Sequence, residues 1–128
     1  MKLLLDTCSF LWAVRGDERM SAEAVALFRD PANEVYLSSV SAWEIALKHQ
    51  LGKLPLADLP ARYVPRERER HGIEPLAFAE ADALLLDRLP PLHADPFDRL
   101  LICQAVQHGM TLLTPDAMIH RYPVPVRW

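Results

Sequence analysis

The apolar positions of this chain follow two different periods. Lys2 to Leu5 is a short greasy run without alternation, the pattern of a strand covered on both faces. Asp6, Thr7 and Ser9 mark its end, and "FLWAV" then spaces like a helix. After a charged loop at Arg15 to Arg19, Ser21 caps a helix with Glu23 in its first turn, which runs to about Asp30 before Pro31 and Asn33 break it. "EVYLSS" is rich in β-formers and predicts the second strand, and "SAWEIALKHQLGKL" predicts a helix closed by Gly52. Proline punctuates the chain from Pro55 to Pro65. Arginine and glutamate then alternate through "PRERERHG", as on a solvated helical face, with RNA contact the competing reading. "GIEPL" is a third short strand and "AFAEADALLLDRL" a helix. The loop "PPLHADP" leads into another helix, and beyond Gly109 come a short buried strand, "MTLLT", and a last one in "VPVRW".

Strands that alternate with helices imply an α/β protein built on a mostly parallel sheet of four to five strands, covered on both sides. A length of 128 residues is that of one domain, and no repeat or second unit interrupts residues 1–128. Composition refines this picture only slightly. With 51% apolar and 24% charged residues the chain reads as globular rather than disordered. A formal net charge of −3 argues against a broadly basic coat for nucleic acid, yet leaves room for a local basic rim around an acidic centre. Cys8 and Cys103 sit in apolar runs and read as reduced thiols of a cytoplasmic protein, not as a disulfide framework. "MKLLLD" meets a charge after three leucines, too soon for a signal peptide or a membrane span.

The chemistry begins at "HADPFDRLL". Asp95 suits a helix N-cap, Pro96 the first helical position, and Asp98 the third. Laid out on a helical wheel, however, Asp98 falls in the middle of the stripe formed by Leu101, Ile102, Ala105 and Val106. A lone buried carboxylate is costly unless it is paired or binds metal, so the chain should supply partners. In open parallel sheets functional groups gather beyond the carboxyl ends of the strands. Asp6 follows the first strand, Asp116 follows Thr111 to Leu113, and Glu44 points inward near the start of the helix after the second strand. Each has a plain role on its own: Asp6 as a cap, Asp116 as a first-turn acid behind Thr114 and Pro115, and Glu44 as an i,i+4 partner of Lys48. Taken together, four acids at equivalent places would converge, repel one another and require a cation. Oxygen ligands suit Mg²⁺ or Mn²⁺, and no Cys and His pair has zinc-ligand spacing.

"LLLDTCSFLW", "SSVSAWEIALKHQLGKL", "HADPFDRLLICQA" and "LLTPDAMIHRYPVPVRW" together resemble the PIN-domain ribonucleases, in particular the toxin half of VapBC-type toxin-antitoxin pairs. The resemblance covers nearly the whole chain in motif order and spacing. It implies a three-layer α/β/α sandwich, a divalent metal, endonucleolytic cutting of RNA such as tRNA or rRNA, a homodimer, and inhibition by a small VapB-type antitoxin whose tail occupies the site. Carried over to this chain, the family's acidic core falls on Asp6, Glu44, Asp98 and Asp116, with Asp95 as an additional acid that either binds metal or supports the ligands. Metal-activated water would attack the scissile phosphate and leave a 5′ phosphate and a 3′ hydroxyl.

Around that core, Thr7 and Ser9 could position a phosphate oxygen or the water, with helix capping as the alternative. Lys48 and Arg99 could hold backbone phosphates, with salt bridging as the alternative. Trp12 and Trp43 read as core or dimer-contact residues. The histidines, including His93, are not assigned to catalysis, because metal-activated water removes the need for a general base. Selectivity among RNAs is expected to depend on loop geometry around Arg15 to Arg19 and Pro55 to Arg70. A phosphoacceptor receiver domain fails on acid and lysine placement. A catalytically silent PIN-fold module that binds RNA or a partner, and a metal-dependent phosphohydrolase acting on a small substrate, are the competing readings.

Overall fold

The computed structural model describes residues 1–128. Five strands form one parallel sheet: β1 (Lys2–Leu5), β2 (Glu34–Ser38), β3 (Glu74–Leu76), β4 (Thr111–Leu113) and β5 (Val126–Arg127), in the order β3-β2-β1-β4-β5. The central strand is β1, and its Leu5 pairs with Leu37 on one side and Leu113 on the other. Leu3, Leu4 and Leu5 are all 0% exposed, which explains the unbroken apolar run. Successive side chains alternate between two cores. Leu3 and Leu5 pack with Phe10, Val35 and Ile45, whereas Leu4 packs with Leu101, Ile102 and Leu112 on the opposite face.

Six α-helices cover these faces: α1 (Thr7–Arg15), α2 (Ala22–Arg29), α3 (Ser39–Gln50), α4 (Pro60–Arg70), α5 (Glu80–Ala83) and α6 (Pro96–His108). Helices α1, α2 and α4 feed the first core, and α6 feeds the second. The result is the expected three-layer α/β/α sandwich. The capping signals read from sequence operate: Ser21 accepts the Ala24 N–H at 3.0 Å, and Asp95 accepts the Phe97 N–H at 2.9 Å. At the far end of α6, Gly109 takes the left-handed conformation (φ 64°) that closes the helix.

Two segments differ from the expectation. The Pro-punctuated stretch is not all loop, because α4 starts at Pro60 and runs through Pro65. Pro60 at the helix start gives up an N–H that would have no partner there, and Pro65 forfeits one internal bond while Tyr63, Val64 and Glu67 become buried. Packing outweighs the local break. Conversely, "AFAEADALLLDRL" forms only the short α5 followed by a 3₁₀ turn over Leu84–Arg88. Leu84 is 70% exposed, so its apolar pattern is not buried, and Pro90 and Pro91 stop any further helix. No helix is long and apolar enough to cross a membrane.

Candidate active site

One cleft of about 560 Å³ opens beyond the carboxyl ends of β1 and β4, among the first turns of α1 and α6 and one side of α3. Asp6, Glu44, Asp95, Asp98 and Asp116 all line it. Acids separated by as many as 110 positions in sequence therefore meet because β1 and β4 are neighbours and α3 and α6 pack beside them.

Asp6 caps α1 and is 3% exposed. Its carboxylate accepts the Ser9 N–H at 2.8 Å, the Thr114 hydroxyl and, at 3.4 Å, the Cys8 thiol. Burial raises its pKa, and these hydrogen bonds pull the other way. Burial and then the Asp6 charge push the Cys8 thiol up, so it stays protonated at neutral pH and is no nucleophile. Glu44, 4% exposed, accepts the Thr7 hydroxyl at 2.6 Å and pairs with Lys48 through its other oxygen. Glu44 therefore forms the expected i,i+4 pair while lining the cleft wall. The Glu44 hydrogen bond raises the Lys48 pKa.

Asp98 is pushed up to about 7, first by burial and then by the charges of Asp95, Asp6 and Asp116. Burial also acts against ionisation of Asp116, but the Met118 N–H at 2.8 Å and the neighbouring His93 outweigh it and lower its pKa. His93 stands between the two, its Nε2 at 3.0 Å from Asp98 Oδ2 and 3.1 Å from Asp116 Oδ2. The ligand atoms of these three residues lie within 4.8 Å of one another, close enough for one cation.

The basic groups on the rim are Arg15, Arg19, Lys48 and Lys53. Arg19 is paired with Asp17 at 2.7 Å and lies over the Trp12 ring, 4.7 Å from its centroid. Several accessory expectations need correction. Ser9 lines no part of the cleft: it is 0% exposed, and its backbone N–H donates to Asp6. Arg99 also lies outside the cleft lining, its Nε buried without a hydrogen-bond partner, because one residue along α6 is about 100° of rotation away from Asp98. Thr7 does line the cleft, although its hydroxyl is committed to Glu44. Trp43 is 59% exposed and not a core residue. Trp12 is half-buried against Trp128, with centroids 5.9 Å apart.

Sequence reasoning set His93 aside from catalysis and did not single out Arg15 or Lys53. His93 adjoins the acidic motif, but its place depends on a tether to Tyr122, 29 residues further on, which no local pattern reveals. A separate cavity of about 460 Å³ between α3, α4 and β3 is lined mainly by aliphatic groups and contains no acid, so the chemistry is not there.

Residues 3–125 match the PIN domain family. The chain belongs to the PIN-domain family, in its VapC group. Ribonuclease VapC22 of Mycobacterium tuberculosis (strain ATCC 25618 / H37Rv) is 30% identical over 130 aligned positions, covering 97% of this chain and 95% of that protein. Ribonuclease VapC16 of the same strain is 43% identical over 67 residues, covering 49% of this chain and 48% of that protein, so this match spans about half of each. The PIN fold is shared with VapBC2 from Rickettsia felis, solved bound to a DNA fragment from its promoter (TM-score 0.73, 17% identity, 99% of this chain and 98% of that one). It is also shared with VapBC-1 from nontypeable Haemophilus influenzae (TM-score 0.64, 16% identity, 99% and 97%).

Proposed function

We propose that this PIN-domain chain is the toxin of a VapBC-type pair and acts as a divalent-metal-dependent endoribonuclease, with tRNA or rRNA as its target. The observation that carries this reading is the convergence of Asp6, Glu44, Asp98 and Asp116 in one cleft with a basic rim. The donor set fits a hard cation: carboxylates predominate, and Asp98, raised first by burial and then by the charges of Asp95, Asp6 and Asp116, is a group whose ionised form a divalent ion would favour. When bound, Mg²⁺ or Mn²⁺ supplies a Lewis acid that makes water a nucleophile at neutral pH and neutralises charge on the phosphate.

The protein's own residues do the rest. Asp98 and Asp116 would hold the ion, with Asp6 beside them in the cleft, Glu44 completing the acidic wall and Asp95 contributing charge beside Asp98. Thr7 orients Glu44 through its hydroxyl rather than touching a phosphate. Lys48, Arg15 and Lys53 span the rim and hold the sugar-phosphate backbone so that the scissile bond lies over the acids. Cleavage leaves a 5′ phosphate and a 3′ hydroxyl.

A small VapB-type antitoxin is the proposed partner, in keeping with the VapBC assemblies that share this fold. A homodimer is supported by an exposed apolar patch in which Trp43 packs 5.6 Å from Phe97 beside Val40 and Leu100. The test is direct. Purified protein with Mg²⁺ or Mn²⁺ should cut RNA, and Asp98→Asn or Asp6→Asn should abolish cutting while circular dichroism stays native. Full-rate cleavage by both variants would remove the mechanism. Inducing the chain in cells and mapping new RNA 5′ ends would identify the target.

A further inference from the structure

His93 sits in the loop before α6, and three contacts fix it. Its backbone N–H and that of Leu92 donate to the Tyr122 hydroxyl at 2.7 and 3.1 Å, and Tyr122 is itself buried. The ring Nδ1 accepts the Asp95 N–H at 3.3 Å. An imidazole nitrogen that accepts a hydrogen bond carries no proton, so the proton of the neutral ring is on Nε2. That nitrogen is hydrogen-bonded to Asp116 Oδ2 at 3.1 Å and lies 3.0 Å from Asp98 Oδ2.

We propose that His93 is a positioning residue of the acid cluster: its Nε2–H bridges Asp98 and Asp116 and fixes both carboxylates so that their remaining lone pairs meet at one cation. The inference rests on the metal-dependent reading above. It also separates His93 from the ligands. To bind metal, Nε2 would need a free lone pair, and the ring proton would have to move to Nδ1, against the Asp95 N–H at the cap of α6. Neither α1 nor α3 supplies a hydrogen bond that could replace the bridge, since the Asp6 and Glu44 partners are Ser9, Cys8, Thr114, Thr7 and Lys48.

The probe is Mn²⁺ alone, titrated calorimetrically into the wild type, His93→Ala and His93→Gln, with thermal unfolding in EDTA as the check on folding. His93→Ala should bind Mn²⁺ about tenfold more weakly or worse, as supporting groups behind metal ligands typically do. His93→Gln keeps an N–H donor and should stay within about threefold of wild type, well short of that loss. Pulsed EPR of Mn²⁺ on the wild type should reveal no directly coordinated nitrogen. Unchanged affinity in His93→Ala, or a coordinated nitrogen in the wild-type spectrum, overturns the proposal. If His93→Ala does not fold, the spectrum and His93→Gln decide, and a loss of about tenfold in the glutamine variant counts against it. A wild type that takes up no Mn²⁺ instead removes the metal-dependent reading itself.

Discussion

Asp98 shows what one side chain in the wrong-looking place can do. Its pKa, ordinarily 3.8, is pushed up to about 7, so the folded protein holds this proton more tightly than the unfolded chain does. Between those values the native state binds more protons, and stability must fall as pH rises through that window. Asp6, also raised, adds to the slope, whereas Asp116, lowered, acts only below its ordinary value. In EDTA the melting temperature should therefore drop from about pH 5 to about pH 8, and Asp98→Asn should flatten the curve and melt higher at the alkaline end. Saturating Mg²⁺ should reverse the trend, because metal uptake displaces the proton and strengthens with pH. A wild-type melting temperature that does not move with pH in EDTA would refute this account. The inward placement of Asp98 was legible from helical periodicity. The assignments that missed, Ser9 and Arg99, fail for a common reason: neighbours in sequence are not neighbours in a site when a helix turns between them.

At the level of elements, the start of α6 serves both packing and chemistry, and the two can be separated. Asp95 caps the helix by accepting the Phe97 N–H, and its charge is the second-largest cause of the rise at Asp98. Asp95→Asn keeps an acceptor and removes the charge, so stability should change little while the Asp98 pKa falls, as an NMR titration would register. Asp95→Ala should cost about 1 kcal/mol in denaturant unfolding. If the asparagine variant loses as much as alanine, the cap is not what holds the helix start. The sequence made strands and caps readable because β1 is apolar on both faces and Ser21, Asp95 and Gly109 carry local signals. It left the first half of α4 unread, although "PRERERHG" read as a helical face, and overstated α5, because those outcomes rest on what Tyr63, Val64 and Leu84 meet in three dimensions.

For the whole molecule, net charge is a poor guide to where RNA would lie. The total is −3, yet Arg15 and Lys53 stand exposed on the cleft rim without an ion-pair partner. Replacing each by glutamine should weaken RNA binding and reduce the salt dependence by roughly 0.7 in log–log slope per lost contact, measured on the uncleaving Asp98→Asn background. An unaltered slope would put the backbone elsewhere. The exposed Trp43, packed on the half-buried Phe97, makes a separate prediction: Trp43→Asp should convert the proposed dimer to a monomer in light scattering, with the melting temperature of the subunit little changed. The hydrogen bond from Thr114 to Asp6 joins positions 108 apart, and β4 inserts beside the first strand. A polypeptide emerging from the ribosome thus carries Asp6 long before Thr114 and Asp116 can join it, and the pocket closes only once the stretch between them has been made.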